Sequence, residues 1–547
     1  MSDIVSIADE YHRYRQESDQ LRLLWKGDLE YLEHWEDLSP EATERRRADL
    51  REFADRIEEA TTGDAPADQR ALADTVAFTA RAGANELRWM AQLMAPNPAI
   101  GIHSLLLTFL PRYTLVDADH GERYHEKLRR LPKMLDQAGA TVRTGPTSGI
   151  MPLTSHLTAT IAAIDAQLIQ PAHSDPLTGQ APPRDLTQAE ASTWSAETAR
   201  LVAEEVRPAL ARYRDTLAVI AAAGRSDDEP GLCHLEGGSQ HYEDLVWSHT
   251  TLETSADAVH RVGLEQIERL EDEYLRVAGP AIGVHDLEEI YGRLRDDPAL
   301  RYRSGDQIVA DATRALAKAE AAAPSWFGRL PESRCVASQA HQGALAFYSK
   351  PDPAAGKPGT FYFNTSVPEA WGTFQLEAVT YHESIPGHHL QLALLVEDDS
   401  IHPVHADLPI TAHSEGWGLY TERLADEMGL YGSELDRVGM LAADSMRACR
   451  LVVDTGMHAL GWSRSRAVDY ILDHSPLTRR LAESEVDRYI GMPGQALSYM
   501  TGRLEIDRLR AESERRAGDA FDIKDFHDRI LRHGLVPLPI LRDLVLS

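Results

Sequence analysis

Tyr381-His382-Glu383-Ser384-Ile385-Pro386-Gly387-His388-His389-Leu390-Gln391 is the stretch whose reading decides what fold must surround it. A zinc-binding helix usually carries two histidines at i and i+4, with a glutamate directly after the first. Here position i+4 from His382 is Pro386, and the next histidines are His388 and His389. On an ideal helix turning about 100° per residue, i+6 lands roughly 240° round, off the face of His382. The i+7 position returns to that face but lies about 10 Å further along, too far to share an ion through bonds of about 2 Å. A regular helix therefore cannot pair these side chains. Pro386 and Gly387 supply the way out: proline removes a backbone donor and clashes with the preceding turn, so a bulge or kink is expected there. A helix distorted by two extra residues brings His388 beside His382, with His389 as the alternative.

Downstream, His413-Ser414-Glu415-Gly416-Trp417-Gly418-Leu419-Tyr420-Thr421-Glu422 adds carboxylates. Two histidines and one carboxylate leave a fourth position open for water, as catalytic zinc sites require. Glu415 or Glu422 can supply that carboxylate, since i and i+7 share a helix face at different depths. Two nearby histidines alone read more simply as core or surface residues around a helix break. Glu383 and the second acidic cluster turn the reading towards metal chemistry, with Glu383 as general base. The mixed His/Glu set favours zinc over manganese or iron.

Working outward, Ile4 to about Leu93 is dense in Glu, Arg, Leu and Ala with apolar residues every three or four positions, which is helical periodicity broken at Pro96 and Pro98. Helical patterns recur at His125 to Gln137, Ala196 to Ala223, Phe374 to His389, Ala412 to Met428, Leu435 to Gly456, Ser463 to Leu472 and Ile523 to His533. Thr254-Ser255-Ala256-Asp257 predicts a helix start running through Val277. Pro171 to Asp185 and the Pro-, Gly- and Ala-rich Pro351 to Gly359 read as loops. Thr360-Phe361-Tyr362-Phe363-Asn364 has strand character, and Phe361 to Asn364 is read as an edge strand that pairs with an extended substrate or simply packs. The expected fold is mainly α, with one small sheet near the middle.

The 547 residues suffice for a large core and two lobes. Eighty-six acidic against 56 basic residues give a formal charge of −30, which argues against nucleic acid and anionic membrane surfaces as partners. Cys233, Cys335 and Cys449 are widely spaced and indicate neither a disulfide framework nor a thiolate metal site. The N-terminus shows no basic region followed by an apolar one, and no apolar run is long enough to span a bilayer, so a cytoplasmic chain with no membrane partner is expected.

The His382 segment, with Glu415-Gly416-Trp417-Gly418-Leu419-Tyr420, Arg450-Leu451-Val452-Val453-Asp454-Thr455-Gly456 and Pro493-Gly494-Gln495-Ala496-Leu497-Ser498-Tyr499, resembles the bacterial family known as domain of unknown function 885. That family is similar to helical glutamate-zinc peptidases such as thimet oligopeptidase and dipeptidyl peptidase III. The resemblance implies a two-lobed zincin-like metallopeptidase with a small sheet beside the active-site helix. It makes residues 1–235 an N-terminal helical region and 236–547 a catalytic region, the two forming one cleft-containing unit. Aligning the Gly-His pair makes His388 the second zinc ligand, while Pro386 keeps His389 open as the alternative. Glu415 becomes the third ligand, and Tyr499 resembles the tyrosine that steadies an oxyanion. His413 and His389 are rivals for that last role.

The implied activity is cleavage of a peptide or peptide-like amide bond, on a small peptide or amide-containing molecule. A metal-dependent amidohydrolase or lyase on a small metabolite, and a degenerate peptidase fold kept for binding, are the alternatives; retention of Glu383 speaks against the last. Asp454 and His458, at i and i+4, read as a helix-face pair or as a carboxylate orienting a zinc histidine. Arg447 and Arg503 are candidates to receive a substrate carboxylate.

Overall fold

The computed structural model describes residues 3–547 except 22, 25, 26, 28, 62, 64, 341–344, 354, 355 and 409. Parts of the expected N-terminal helical run and of the loop from Pro351 to Gly359 therefore lie outside the described residues. The fold is mainly helical, with one three-stranded sheet among the described residues.

The helix predicted from Phe374 to His389 is two helices, α1 (Leu376–Glu383) and α2 (His388–Val396), meeting at the Ser384–Gly387 corner. The following site helices are α3 (Thr411–Glu427), α4 (Glu434–His458) and α5 (Ser498–Ala517). α4 begins where the Ser433 side chain accepts the Asp436 N–H at 3.2 Å, with Glu434 and Asp436 complementing the helix dipole. Nearly all of it from Val438 to His458 is buried, and it packs along the helix Ala256–Ile282. Gly263 permits that packing, because a Cβ there would stand 2.7 Å from Val452 and 2.8 Å from Leu451. Ser255 caps the Ala256–Ile282 helix as predicted, although the helix continues five residues past Val277.

α3 and α5 cross through glycines. A Cβ on Gly416 would lie 2.6 Å from the backbone of Gly502, and one on Gly502 would lie 1.8 Å from the Ala412 carbonyl oxygen. This contact sets how closely Glu415 on α3 approaches the start of α5, where Tyr499 sits.

The sheet comprises β1 (Cys335–Ala340), β2 (Ala346–Ser349) and β3 (Gly359–Asn364) in the order β1-β3-β2. β3 runs parallel to β1, with Cys335 opposite Gly359, and antiparallel to β2, with Phe347 opposite Tyr362. Its alternation is plain: Phe361 and Phe363 are buried on one face, and Tyr362 stacks on Phe347 on the other, ring centroids 4.9 Å apart. The expected edge strand is thus the central one. Its backbone groups are engaged on both sides, so it cannot receive a substrate strand. The sheet leans on α2 through Gly359, where a Cβ would meet His389 Nδ1 at 2.4 Å.

One apolar cluster draws Trp89, Leu93, Ile150 and Leu232 together with Leu441, Leu451, Val486 and Met500. A second joins the sheet residues Phe361 and Phe363 to Tyr381, Trp417 and Ile506, and so surrounds the segment that carries the histidines.

Candidate metal centre

The α1–α2 corner is the distortion that the sequence requires. Ser384 (φ −110°, ψ −122°) and Gly387 (φ −82°, ψ −128°) leave helical geometry, and the Ile385–Pro386 peptide is cis. Proline has no N–H to continue the ladder. Instead the Gly387 N–H donates to Tyr381 O at 3.0 Å, six residues back, and the His389 N–H to Ser384 O at 3.0 Å, five back. These wide turns absorb the two extra residues. Only glycine fits at 387, because a Cβ would lie 1.9 Å from the His382 carbonyl oxygen. The Trp417 indole N–H closes the corner by donating to Pro386 O at 3.1 Å.

The result places the His382 and His388 rings 4.7 Å apart, nearly perpendicular at 86°. His382 Nε2 and His388 Nε2 stand 3.4 and 3.5 Å from Glu415 Oε2. One ligand atom from each of the three residues lies within 4.8 Å of the others, so this cluster can coordinate a metal ion. Charge-assisted N–H···O bonds measure about 2.7–2.9 Å, so these contacts are too long for direct pairing. They match instead the edge of a tetrahedron with metal–ligand bonds of about 2.0–2.1 Å, which is roughly 3.4 Å. Both histidines are buried.

His382 is held from behind: its Nδ1 bonds Glu422 Oε1 at 2.8 Å, leaving Nε2 to face the cluster. Glu422, weighed as a ligand, thus takes the orienting place that Asp454 was considered for. Burial alone would lower the pKa of His382, but the Glu415 and Glu422 carboxylates beside its ring push it up to about 9. Burial would raise Glu415, yet the two histidines hold it well below the usual carboxylate range. Glu383 is half-buried and makes no hydrogen bond or ion pair with the described residues. Burial raises its pKa, with Glu415 adding to the rise and His382, His388 and Arg447 opposing it.

The rivals face elsewhere. His389 Nδ1 bonds the Tyr348 hydroxyl at 2.8 Å and its Nε2 the Ser333 carbonyl at 3.0 Å. His413 accepts the Val536 N–H at 3.2 Å. Tyr499 is half-buried on the first turn of α5, and its hydroxyl pKa is raised by burial and then by the Glu415 charge. Asp454 accepts the Tyr242 hydroxyl at 2.5 Å and the Gly494 N–H at 3.0 Å, so it pins the turn that leads into α5. His458 bridges the Leu232 N–H and the Tyr489 carbonyl. Arg503 lies 3.7 Å from both Asp444 and Asp507 and is neutralised there. Two neighbours were given no role in the sequence: Tyr348, which feels the Glu383 charge, and Arg450, quoted only within a family-like stretch, whose guanidinium stands 4.3 Å from the Tyr499 ring centroid. Arg447 and Arg450, at i and i+3 on one helix, share a face, which is the signal that could have found the second.

Fold and site together define a mainly helical protein with a buried His–His–Glu cluster fit to hold a metal ion. The chain belongs to the family described as bacterial protein of unknown function (DUF885), which matches residues 25–545. No curated protein matches it. Among solved structures it is similar to a protein of Colwellia psychrerythraea described as a lipoprotein, at 23% identity and TM-score 0.89, covering 100% of this chain and 98% of that one. It is also similar to a Shewanella oneidensis protein described as a lipoprotein of unknown function, at 17% identity and TM-score 0.72, with 100% of both chains covered. These likenesses show the fold.

The descriptions overturn the expectation of a cytoplasmic chain with no membrane partner, since both matched folds are described as lipoproteins. Among the described residues no helix is long and apolar enough to cross a membrane. That concerns spanning helices alone, and a covalent lipid anchor needs none. Hydropathy and charge therefore do not decide the location.

Proposed function

We propose that the protein is a zinc-dependent hydrolase cleaving a peptide or peptide-like amide bond. The convergence of His382, His388 and Glu415 at tetrahedral-edge spacing, with an unpaired carboxylate on the adjacent residue, carries this reading. These three residues would hold the ion, oriented through Glu422. Bound there, zinc supplies Lewis acidity to a water and to a carbonyl. Glu383 accepts the proton of the attacking water and passes it to the leaving nitrogen, a role that suits a raised carboxylate pKa. The Tyr499 hydroxyl donates to the oxygen on which negative charge develops. Asp454 keeps Tyr499 in place by pinning Gly494.

In this reading the helical two-lobed, zincin-like arrangement places residues 1–235 as one wall of a cleft and residues 236–547 as the catalytic wall. The test is Glu383→Gln in zinc-loaded protein against a peptide library. Metal content should persist while turnover falls by roughly 10²–10⁴, the usual worth of a general base. Undiminished turnover would remove Glu383 from the chemistry, and absence of any hydrolysis by the unmodified protein would remove the reading itself.

A further inference from the structure

Behind Tyr499 the polar groups do not balance. Arg450 is only 5% exposed; its Nε donates to the Tyr489 hydroxyl at 2.9 Å and one Nη to Glu485 at 2.9 Å. Its other Nη is buried without a partner. Arg488 shares the same Glu485 carboxylate at 3.0 Å, and Tyr489 donates to it as well. Arg447, half-buried, has a buried Nε without a partner, a long 3.4 Å bond to the Ala443 carbonyl, and lies 3.8 Å from Glu422. Three guanidiniums thus meet two carboxylates: Glu485, which Arg450 and Arg488 share, and Glu422, which is bonded to His382. Glu383 and Glu415 do not redress this, because a divalent ion in the cluster offsets both. A buried cation without a counter-ion is costly, so one positive charge beside the site calls for an anion.

We infer that Arg447, backed by Arg450, binds a substrate carboxylate lying close to the scissile bond. The inference rests on the hydrolase reading and narrows its substrates to those with a free carboxylate near the cleaved amide, such as the C-terminal residue of a peptide or an N-acyl amino acid. Position supports it: Arg447 stands 6.0 Å from the Tyr499 ring centroid, and its charge acts on Glu383. Arg450 lies against the same ring, its guanidinium 4.3 Å from the centroid. The single excess charge matches a singly charged carboxylate, which the planar guanidinium fork can take in two parallel bonds.

Calorimetric titration of zinc-loaded protein with N-acetylglycine and with N-acetylglycinamide tests the site without requiring turnover. The acid should bind about tenfold to a hundredfold more tightly than the amide, the worth of a hydrogen bond to a charged group. Arg447→Met should abolish that preference, and Arg447→Lys, which keeps charge and bulk, should retain part of it. No preference in the unmodified protein, or an equal one in Arg447→Met, overturns the inference. Kinetics on peptide acids and their C-terminal amides separates the two readings. Hydrolysis of both at equal kcat/KM sinks the carboxylate site and leaves the hydrolase. Binding of the acid through Arg447 with no peptide hydrolysed sinks the hydrolase and leaves the anion site.

Discussion

Gly418→Ala isolates the position of one ring. Gly418 is on α3, a turn after Glu415, and the His382 imidazole packs directly on it. A Cβ there would lie 2.6 Å from Cε1, 2.8 Å from Nε2 and 3.0 Å from Nδ1 of that ring. Ordinary carbon contacts are about 3.5–4.0 Å, so the ring must withdraw by roughly 1 Å. It has little freedom to do so, because Nδ1 is tied to Glu422 at 2.8 Å and the residue is buried. Metal–nitrogen bonds tolerate about ±0.2 Å, so a shift of that size takes Nε2 out of coordination. Zinc affinity should fall at least about 10- to 100-fold, the range seen when an orienting partner of a ligand is lost. The fold should survive: overpacking costs about 1–3 kcal/mol, and replacing a mid-helix glycine with alanine returns about 1 kcal/mol. Competition against a chromophoric chelator gives the zinc Kd, and thermal melts with and without zinc show whether the change is local. A folded Gly418→Ala protein with unaltered zinc stoichiometry and affinity would refute the assignment of His382 Nε2 as a ligand fixed by this contact.

Other outcomes follow from the same geometry. His388→Ala should strip the metal, whereas His389→Ala should keep it, because His389 is spent on Tyr348 and Ser333; metal analysis of the two purified variants checks this, and the reverse result would exchange their roles. Burial pushes the Asp454 carboxyl up from 3.8 to about 7 against the hydrogen bonds from Tyr242 and Gly494 that lower it. A folded pKa above the unfolded one means that its stabilising share is complete below pH 4 and lost as pH rises through 7, at on the order of 1.4 kcal/mol per pH unit between the two values. Asp454→Asn, neutral throughout and still able to accept both bonds, should therefore melt progressively higher relative to the unmodified protein between pH 4 and 7, the difference levelling off above. Parallel melting curves across that range would contradict the buried, protonated carboxyl.

Much of the helical fold was legible, because amphipathic periodicity is local: α3, α4 and the helices Arg464–His474 and Ile523–Leu531 fall within a few residues of expectation. The single helix expected through His389 divides, since a pattern of apolar residues carries straight across a corner that backbone geometry turns. The centrality of β3 was not legible. Its neighbours β1 and β2 have weak strand patterns, and pairing partners are a property of the sheet rather than of the strand.

The primary structure by itself determined the donor chemistry: two histidines and a following glutamate interrupted by Pro-Gly, a second acidic cluster, and the impossibility of uniting them on a straight helix. It left His388 and His389 both available, and Glu415 and Glu422 both eligible. Only the tertiary structure separated them, gathering His388 and Glu415 beside His382 while turning His389 towards the sheet and placing Glu422 behind His382. Those choices depend on contacts between elements far apart in the chain, where a glycine at 359, 387 or 418 admits a neighbour that any Cβ would exclude.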